Sequence, residues 1–164
     1  MSVPDSLSDE CLADAPPASR DVARGVARLL FRQELTALCE VPLGNGRRAD
    51  LLALCPRGRL TIVEIKVSRA DLRGDAKWPE YLEYCDRFFW AVPPGFDLAP
   101  FNEPHFRPDV AGLIVADRYD AAVMRDAAVR PLAAARRHAE TLRFARRAAR
   151  RLLGDLDPGL AGLD

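Results

Sequence analysis

The stretch LTIVEIKV, residues 60–67, is rich in β-branched residues and predicts a buried β-strand. Side chains alternate between the two faces of a strand, so Val63 and Ile65 face one way and Glu64 and Lys66 face the other. A carboxylate and an ammonium therefore point the same way from an otherwise apolar strand. Burying charged groups is costly unless they pair with each other or bind a metal ion. The strand thus marks both a core element and a candidate chemical site.

Helical and strand patterns alternate around this strand. The turns at 44–46 and 56–58 join the first three strands into an antiparallel meander. The helix after Ser68 then provides the crossover to a parallel fourth strand. In order, we predict a helix over 20–34 with Ser19 as N-cap, strands over 37–43, 48–55 and 60–67, a helix from Ser68 to Cys85 that breaks at Gly74 or Pro79, strands over 87–92 and 110–116, short strands or turns at 121–124 and 128–130, and a helix over 131–153.

The order α-β-β-β-α-β-β-α predicts an α/β fold with a mixed sheet flanked by helices. The chain has 164 residues, of which 49% are hydrophobic, so it fits a single domain and is not disordered throughout. We expect a flexible N-terminal segment at 1–18, one domain at 19–154 and a C-terminal tail at 155–164. No apolar run is long enough to span a bilayer, and the acidic start does not resemble a signal peptide. We therefore expect no membrane association and a cytoplasmic location.

The last predicted helix is rich in arginine although the formal net charge of the chain is zero. Its apolar stripe, which we expect to be buried, comprises Leu132, Ala135, Ala139, Leu142, Ala149 and Leu153. The opposite face can carry Arg136, Arg143, Arg147 and Arg150. Such a row would bind DNA phosphates in a salt-dependent, sequence-independent way. A merely solvated face is the alternative interpretation.

Asp50 lies on the strand that precedes Glu64. If the turn at 56–59 makes these strands neighbours, the two carboxylates come close together. With the backbone carbonyl of Ile65 they would supply the hard oxygen ligands that Mg²⁺ prefers, and Mn²⁺ is the other candidate ion. The metal would polarise a phosphoryl oxygen and lower the pKa of a bound water, while Lys66 would orient that water or stabilise the transition state. The structural alternative is an Asp50–Lys66 ion pair with Glu64 at the end of the sheet.

Other side chains near this set are weaker candidates. Glu34 could complete the metal site, and Lys77 could contact a phosphate or the active site, although both residue types are more often solvated at such positions. The helical spacing of Trp78, Tyr81 and Tyr84 is typical of a packed face, although an exposed aromatic ring could stack on a base. The residues that flank the site and are expected to hold DNA phosphates are Arg47, Arg48, Arg69 and Arg73.

Three segments carry a resemblance to a known family: RADL at 48–51, VEIK at 63–66 and KWPEY at 77–81, continuing through YCD at 84–86. They are similar to the MmcB-related family of bacterial DNA repair proteins. Residues 48–92 also resemble the core of the PD-(D/E)xK nuclease superfamily. The resemblance implies a restriction-endonuclease-like core and a role in processing damaged DNA.

The resemblance also implies roles for single residues. It places the superfamily's metal ligands at Asp50 and Glu64, its catalytic lysine at Lys66 and its first-helix glutamate at Glu34. The sequence departs from the pattern at Ala49, where the superfamily's name has proline. It also lacks the Gln-x-x-x-Tyr motif of RecB-like nucleases, and the segment with Tyr81 and Tyr84 occupies that region. The departures bear on how DNA is engaged and on catalytic competence more than on the fold.

Two functions of different classes follow from these patterns. The first is a Mg²⁺- or Mn²⁺-dependent deoxyribonuclease in DNA repair, with Asp50, Glu64 and Lys66 as its catalytic set. The alternative is a catalytically inactive nuclease-fold module that binds DNA or serves as a scaffold, with other proteins of a repair complex supplying recognition. The sequence leaves the oligomeric state open, so a homo-oligomer is compatible with either function.

Overall fold

The computed structural model describes residues 17–161, which form a six-stranded mixed sheet with helices on both faces. The strands lie side by side in the order in which they occur along the chain. The elements are α1 (Pro17–Arg32), β1 (Thr36–Pro42), β2 (Arg48–Leu54), β3 (Leu60–Ile65), α2 (Arg69–Gly74), a 3-10 helix (Trp78–Glu83), β4 (Arg87–Val92), two 3-10 turns (Ala99–Asn102 and Pro104–Phe106), β5 (Gly112–Ala116), β6 (Ala121–Arg125), α3 (Ala134–Leu156) and a 3-10 turn (Pro158–Leu160).

The sheet combines both kinds of strand pairing. β1, β2 and β3 form an antiparallel meander, β4 and β5 add in parallel, and β6 returns antiparallel to β5. The predicted mixed sheet, the meander and the crossover from β3 to a parallel β4 are therefore confirmed. The segment at 121–124, predicted as a strand or a turn, is the sixth strand.

Each face of the sheet buries its own hydrophobic core. On one face α1 contributes Val22 and Val26 against Val63 and Ile65. The other face carries Ile62 and a layer of aromatic side chains that includes Trp78, Phe88, Trp90, Phe101 and Phe106. Because side chains alternate along β3, Glu64 lies on the aromatic face, level with Trp90 of β4 in the register. The fold thus places Glu64 of β3, and Lys66 directly after β3, among buried aromatic rings.

The ends of the predicted helices are partly corrected. Ser19 lies inside α1, which begins at Pro17, so the prediction that Ser19 is the N-cap was wrong. Proline fits the first turn because the N–H it lacks has no intrahelical acceptor there. Ser68 does cap α2, since its side chain accepts the N–H of Asp71 at 3.1 Å. The predicted break at Gly74 is confirmed, and the predicted N-terminal segment lies, up to residue 16, outside the described residues.

The face of α3 that packs against the domain is the opposite of the predicted one. Glu140 and Phe144 are its buried residues, whereas the stripe expected to be buried is exposed at Ala135, Ala139, Leu142, Ala149 and Leu153. The arginine side turns inward because the domain offers matching groups. Arg137 pairs with Asp86, Arg136 covers the Tyr84 ring at 4.3 Å, Arg143 pairs with Glu140, and Arg151 donates to the carbonyls of Cys39 and Glu40. Of the four arginines predicted to bind DNA, Arg143 and Arg150 are exposed, and Arg136 and Arg147 are half-buried, so DNA binding by this row stays a prediction.

Within residues 17–161 no helix is both long and apolar enough to cross a membrane.

Asp86, at the start of β4, ties three parts of the chain together. Its side chain accepts the N–H groups of Leu60 at 2.8 Å and Leu132 at 3.0 Å, and it pairs with Arg137 at 2.7 Å. Burial alone would raise the pKa of Asp86, but these hydrogen bonds and the Arg137 charge outweigh burial and lower it. The Asp86 carboxylate therefore holds in place both the start of β3, at Leu60, and the segment just before α3, at Leu132.

We expect Asp86→Ala to lower the free energy of unfolding by about 3 kcal/mol, because it leaves buried donors and a guanidinium without their acceptor. Urea denaturation followed by circular dichroism measures the change. Asp126→Ala is the matched control, because Asp126 also pairs with an arginine but its side chain is 74% exposed. Equal, small losses in both variants would show that Asp86 is not the anchor.

Candidate functional site

The candidate site lies where β2 and β3 separate. Their ladder runs as far as the pair Leu51 and Val63. One residue further, Glu64 Oε1 accepts the N–H of Asp50 at 3.1 Å, and Asp50 Oδ2 accepts the N–H of Ile65 at 2.7 Å. Side-chain carboxylates thus replace backbone carbonyls as acceptors at the end of the ladder. This exchange holds Asp50 beside Glu64, as expected if the turn at 56–59 makes the strands neighbours.

Both carboxylates are shielded from water, to different degrees. Glu64 is 4% exposed and Asp50 is half-buried. Burial raises the pKa of Asp50 to about 6, although the N–H of Ile65 and the charge of Lys66 oppose the rise. Burial, and then the charge of Asp50, raise the pKa of Glu64 well above its usual range. The pair is therefore electrostatically strained, and a proton or a cation would relieve that strain.

Lys66 lies on the same side, directly after β3. Its Nζ is 2.9 Å from Asp75 Oδ2, 3.7 Å from Asp71 Oδ1 and 5.7 Å from the centre of the Trp90 ring. Burial alone would lower the pKa of Lys66, but Asp75, Asp71 and Glu64 outweigh burial and raise it. The ammonium is thus held by α2 and the residue that follows it. The alternative of an Asp50–Lys66 ion pair is not what the structure shows.

Two acidic residues of the cluster were missed by sequence reasoning. Asp75 directly follows α2 and Asp71 lies within it, and their carboxylates are 2.9 Å and 3.7 Å from Lys66 Nζ. Glu40 lies opposite Asp50, since Cys39 pairs with Leu51 and Val41 with Ala49. The negative charge of Glu40 contributes to the raised pKa of Asp50. The register of the β1–β2 hairpin was the signal that could have identified Glu40.

Tyr81 belongs to the same cluster. Its hydroxyl donates to the backbone carbonyl of Arg48 at 3.1 Å, beside Asp50. Burial and then the charges of Glu64, Asp50 and Asp75 raise the pKa of Tyr81. The 3-10 helix that carries Tyr81 is thereby fastened to β2.

The chain is similar to a family of known proteins and to a solved structure. The sequence model of the MmcB-like DNA repair proteins matches residues 7–158. The chain belongs to this family. A solved protein of unknown function from Silicibacter pomeroyi is 42% identical, with a TM-score of 0.78, and the match covers 92% of this chain and 98% of that chain. A search of the curated proteins found no match. The family indicates a role in DNA repair for this MmcB-like chain.

Two of the weaker candidates lie apart from the cluster. Glu34 is exposed directly after α1, with a φ of 62°, and no hydrogen bond or ion pair among the described residues joins it to Asp50 or Glu64. Lys77 is exposed at the start of the 3-10 helix, where its charge acts on Glu80. Trp78 is fully buried, which favours packing over base stacking.

The arginines expected to hold DNA phosphates lie around the cluster and are mostly paired with acids. Arg47 contacts Glu80 at 2.6 Å and covers the Tyr81 ring, and Arg48 contacts Glu40 at 2.8 Å. Arg69 pairs with Asp97, and Arg73 is exposed in the last turn of α2. The side chains of Arg48 and Arg69 are 63% and 62% exposed, so an incoming anion can reach them.

The donor set of this MmcB-like protein fits a hard divalent cation. In the part of the chain that the structure describes, no three His, Cys, Asp or Glu residues are grouped to hold a metal ion. Mg²⁺, however, is often held by one or two carboxylates and completes its shell with water. Asp50, Glu64 and the carbonyl of Ile65 are the oxygen donors that could hold it. The raised pKa values of the two carboxylates supply the electrostatic reason for a cation there.

We expect Asp50→Asn to stabilise the metal-free protein near pH 7 by about 2 kcal/mol. The folded-state pKa of Asp50 lies above its ordinary value of 3.8. The free energy of unfolding therefore falls as the pH rises from about 4 to about 6, and the variant lacks this loss.

Urea denaturation in a chelator at several pH values tests this expectation. Asp109→Asn, at a side chain that is 70% exposed, is the control and should follow the wild type. A stability gain of the Asp50 variant that is the same at pH 4 and pH 7 would contradict the explanation by buried charge.

Proposed function

We propose that this MmcB-like protein is a Mg²⁺- or Mn²⁺-dependent deoxyribonuclease that hydrolyses phosphodiester bonds during DNA repair. Asp50, Glu64 and Lys66 are its catalytic residues. The observation that carries the proposal is the pair of carboxylates held together where β2 and β3 separate. We place the activity in the cytoplasm, with DNA and proteins of a repair complex as partners.

The two carboxylates keep oxygen atoms available for a cation. Their backbone hydrogen bonds use Oε1 of Glu64 and Oδ2 of Asp50, so the second oxygen of each can serve as a ligand beside the carbonyl of Ile65. When bound, the cation supplies polarisation of a phosphoryl oxygen and a water of lowered pKa. The largely buried setting strengthens every such electrostatic interaction, because little water competes for the charges.

In this proposal Lys66 acts on the phosphoryl group. An ammonium has three N–H donors, and Asp75 at 2.9 Å takes one of them. Asp71 at 3.7 Å lies beyond hydrogen-bond distance. Lys66 therefore keeps donors for a phosphoryl oxygen or for the attacking water, while Asp75 and the Trp90 ring restrict where its Nζ can move. Charge that develops in the transition state would be stabilised from this fixed position.

The rim of the site matches the polyanionic backbone of DNA. One DNA phosphate would replace Glu40 as the anionic partner of Arg48. Another would replace Asp97 as the partner of Arg69. Arg47 and Arg73 extend the same rim. Contacts of this kind position DNA without reading its sequence, so recognition of a lesion would come from DNA shape or from a partner protein.

A non-catalytic scaffold is the second candidate, and one observation favours it. Lys66 pairs with Asp75 and not with Asp50. A protein that keeps the fold for DNA binding alone could retain such a pair for stability. The two functions differ in whether cutting depends on Asp50 and a divalent cation.

The deciding experiment is cleavage of labelled single-stranded, duplex and branched DNA with Mg²⁺ or Mn²⁺. We expect cutting by the wild type, and losses of about 100-fold or more in Asp50→Asn, Glu64→Gln and Lys66→Ala, because each removes a ligand or a stabilising charge. Asp120→Asn is the control, since Asp120 is a 70% exposed acid that pairs with Arg32 and should leave cutting unchanged.

Metal-independent DNA binding without cutting of any substrate would overturn the nuclease proposal in favour of the scaffold. Cutting that persists in the Asp50 and Glu64 variants would place the active site elsewhere.

A further inference from the structure

The outward face of α3 carries an apolar row that the domain does not cover. Every third or fourth residue along it is exposed and lacks a Lys, Arg, Asp or Glu side chain. We name this row the α3 seam; it consists of Ala135, His138, Leu142, Ala145, Ala149, Leu152 and Leu156. Its leucines are 53%, 69% and 81% exposed, in chain order. Large apolar side chains on one continuous face, all open to solvent, mark an interaction surface.

The spacing of the α3 seam identifies the kind of partner. Steps of three and four residues alternate without interruption, which is the heptad pattern of a helix that pairs with another helix in a coiled coil. A 23-residue helix is about 35 Å long. We therefore expect the partner of the α3 seam to be a helix of similar length with a matching apolar row.

Two arginines of α3 are held against the domain, whereas Arg143, Arg146 and Arg150 are exposed. Arg137 and Arg151 point to the domain, where they contact Asp86 and the carbonyls of Cys39 and Glu40. A second arginine-rich helix can therefore approach the seam without bringing these guanidinium groups together. The formal net charge of the chain is zero, so two copies do not repel each other as whole molecules.

Other parts of this chain fit the seam poorly. α1 already buries Val22, Val26 and Leu30 against the sheet. The 16 residues before Pro17 contain Pro4 and Pro16 and, even as a continuous helix, would reach only about 24 Å. A second copy of the chain brings an identical seam of the same length, which makes a two-fold, self-complementary interface.

We propose that two copies of this protein associate through their α3 seams to form a homodimer. Each domain then lies on the outer side of its own α3, and the dimer carries two Asp50–Glu64 sites. The proposal does not depend on the nuclease function, because it rests on the exposed face of α3 alone.

Light scattering after gel filtration, over a range of concentrations, measures the mass of the full-length protein against the 18.1 kDa of one chain. We expect the wild type to have twice this mass. The double variant Leu142→Glu, Leu152→Glu should have the mass of one chain, with dimerisation weakened by about 100-fold or more, because each Glu would bury an unpaired charge. Both leucines are exposed within a single copy, so circular dichroism should show an unchanged fold.

Phe31→Glu is the matched control, because Phe31 is a 74% exposed apolar residue on α1 and its replacement should leave the dimer intact. A wild type that stays monomeric at all concentrations would overturn the proposal and leave the seam to a helix of another protein or to residues 1–16. A dimer that survives the double variant would place the interface on another face and would equally overturn it.

Discussion

Asp50 and Glu64 each accept a backbone N–H from the other's strand at the point where β2 and β3 separate. A regular ladder would use backbone carbonyls there and keep the strands together. The carboxylates instead end the pairing and bring two acidic groups together where burial raises the pKa of both. Several neighbouring side chains offset the free-energy cost of burying these two carboxylates. Lys66 supplies a positive charge, Asp75 and the Trp90 ring fix its place, and Tyr81 anchors the 3-10 helix to β2 through the Arg48 carbonyl.

The rest of the fold supports this arrangement from two sides. Beneath the charged residues, Trp78, Phe88 and Trp90 pack edge-on or tilted with ring centres about 5 Å apart, which gives the polar cluster a rigid apolar floor. On the β1 side, Arg151 of α3 holds the carbonyls of Cys39 and Glu40, and Glu40 has a φ of 54°. α3 thus reaches the edge of the site through its arginines, while its leucines remain exposed. One helix therefore links the site to the surface that we propose for dimerisation.

The sequence was sufficient for the sheet because β-branched runs, turn residues and short connections left few ways to pair the strands. The same alternation placed Glu64 and Lys66 on one face, and the turn at 56–59 brought Asp50 beside them. The partner of Lys66 could not be predicted, since it depends on where the short α2 ends and how Asp75 turns back. α3 was predicted the wrong way round because an apolar stripe is normally buried. Here Asp86, Tyr84 and the backbone carbonyls of Cys39 and Glu40 matched the arginines instead, and the sequence pattern alone does not reveal such long-range partners.

We propose that the strained pair of carboxylates holds a divalent cation. Titration of the purified protein with Mn²⁺, followed by calorimetry or by the loss of the free-ion electron paramagnetic resonance signal, tests it without requiring any substrate. We expect saturable binding by the wild type, with affinity strongly reduced in Asp50→Asn and in Glu64→Gln. Binding should persist in Asp109→Asn, whose side chain is exposed and lies outside the cluster. No saturable binding by the wild type, or equal affinity in all four proteins, would show that the two carboxylates do not form a cation site.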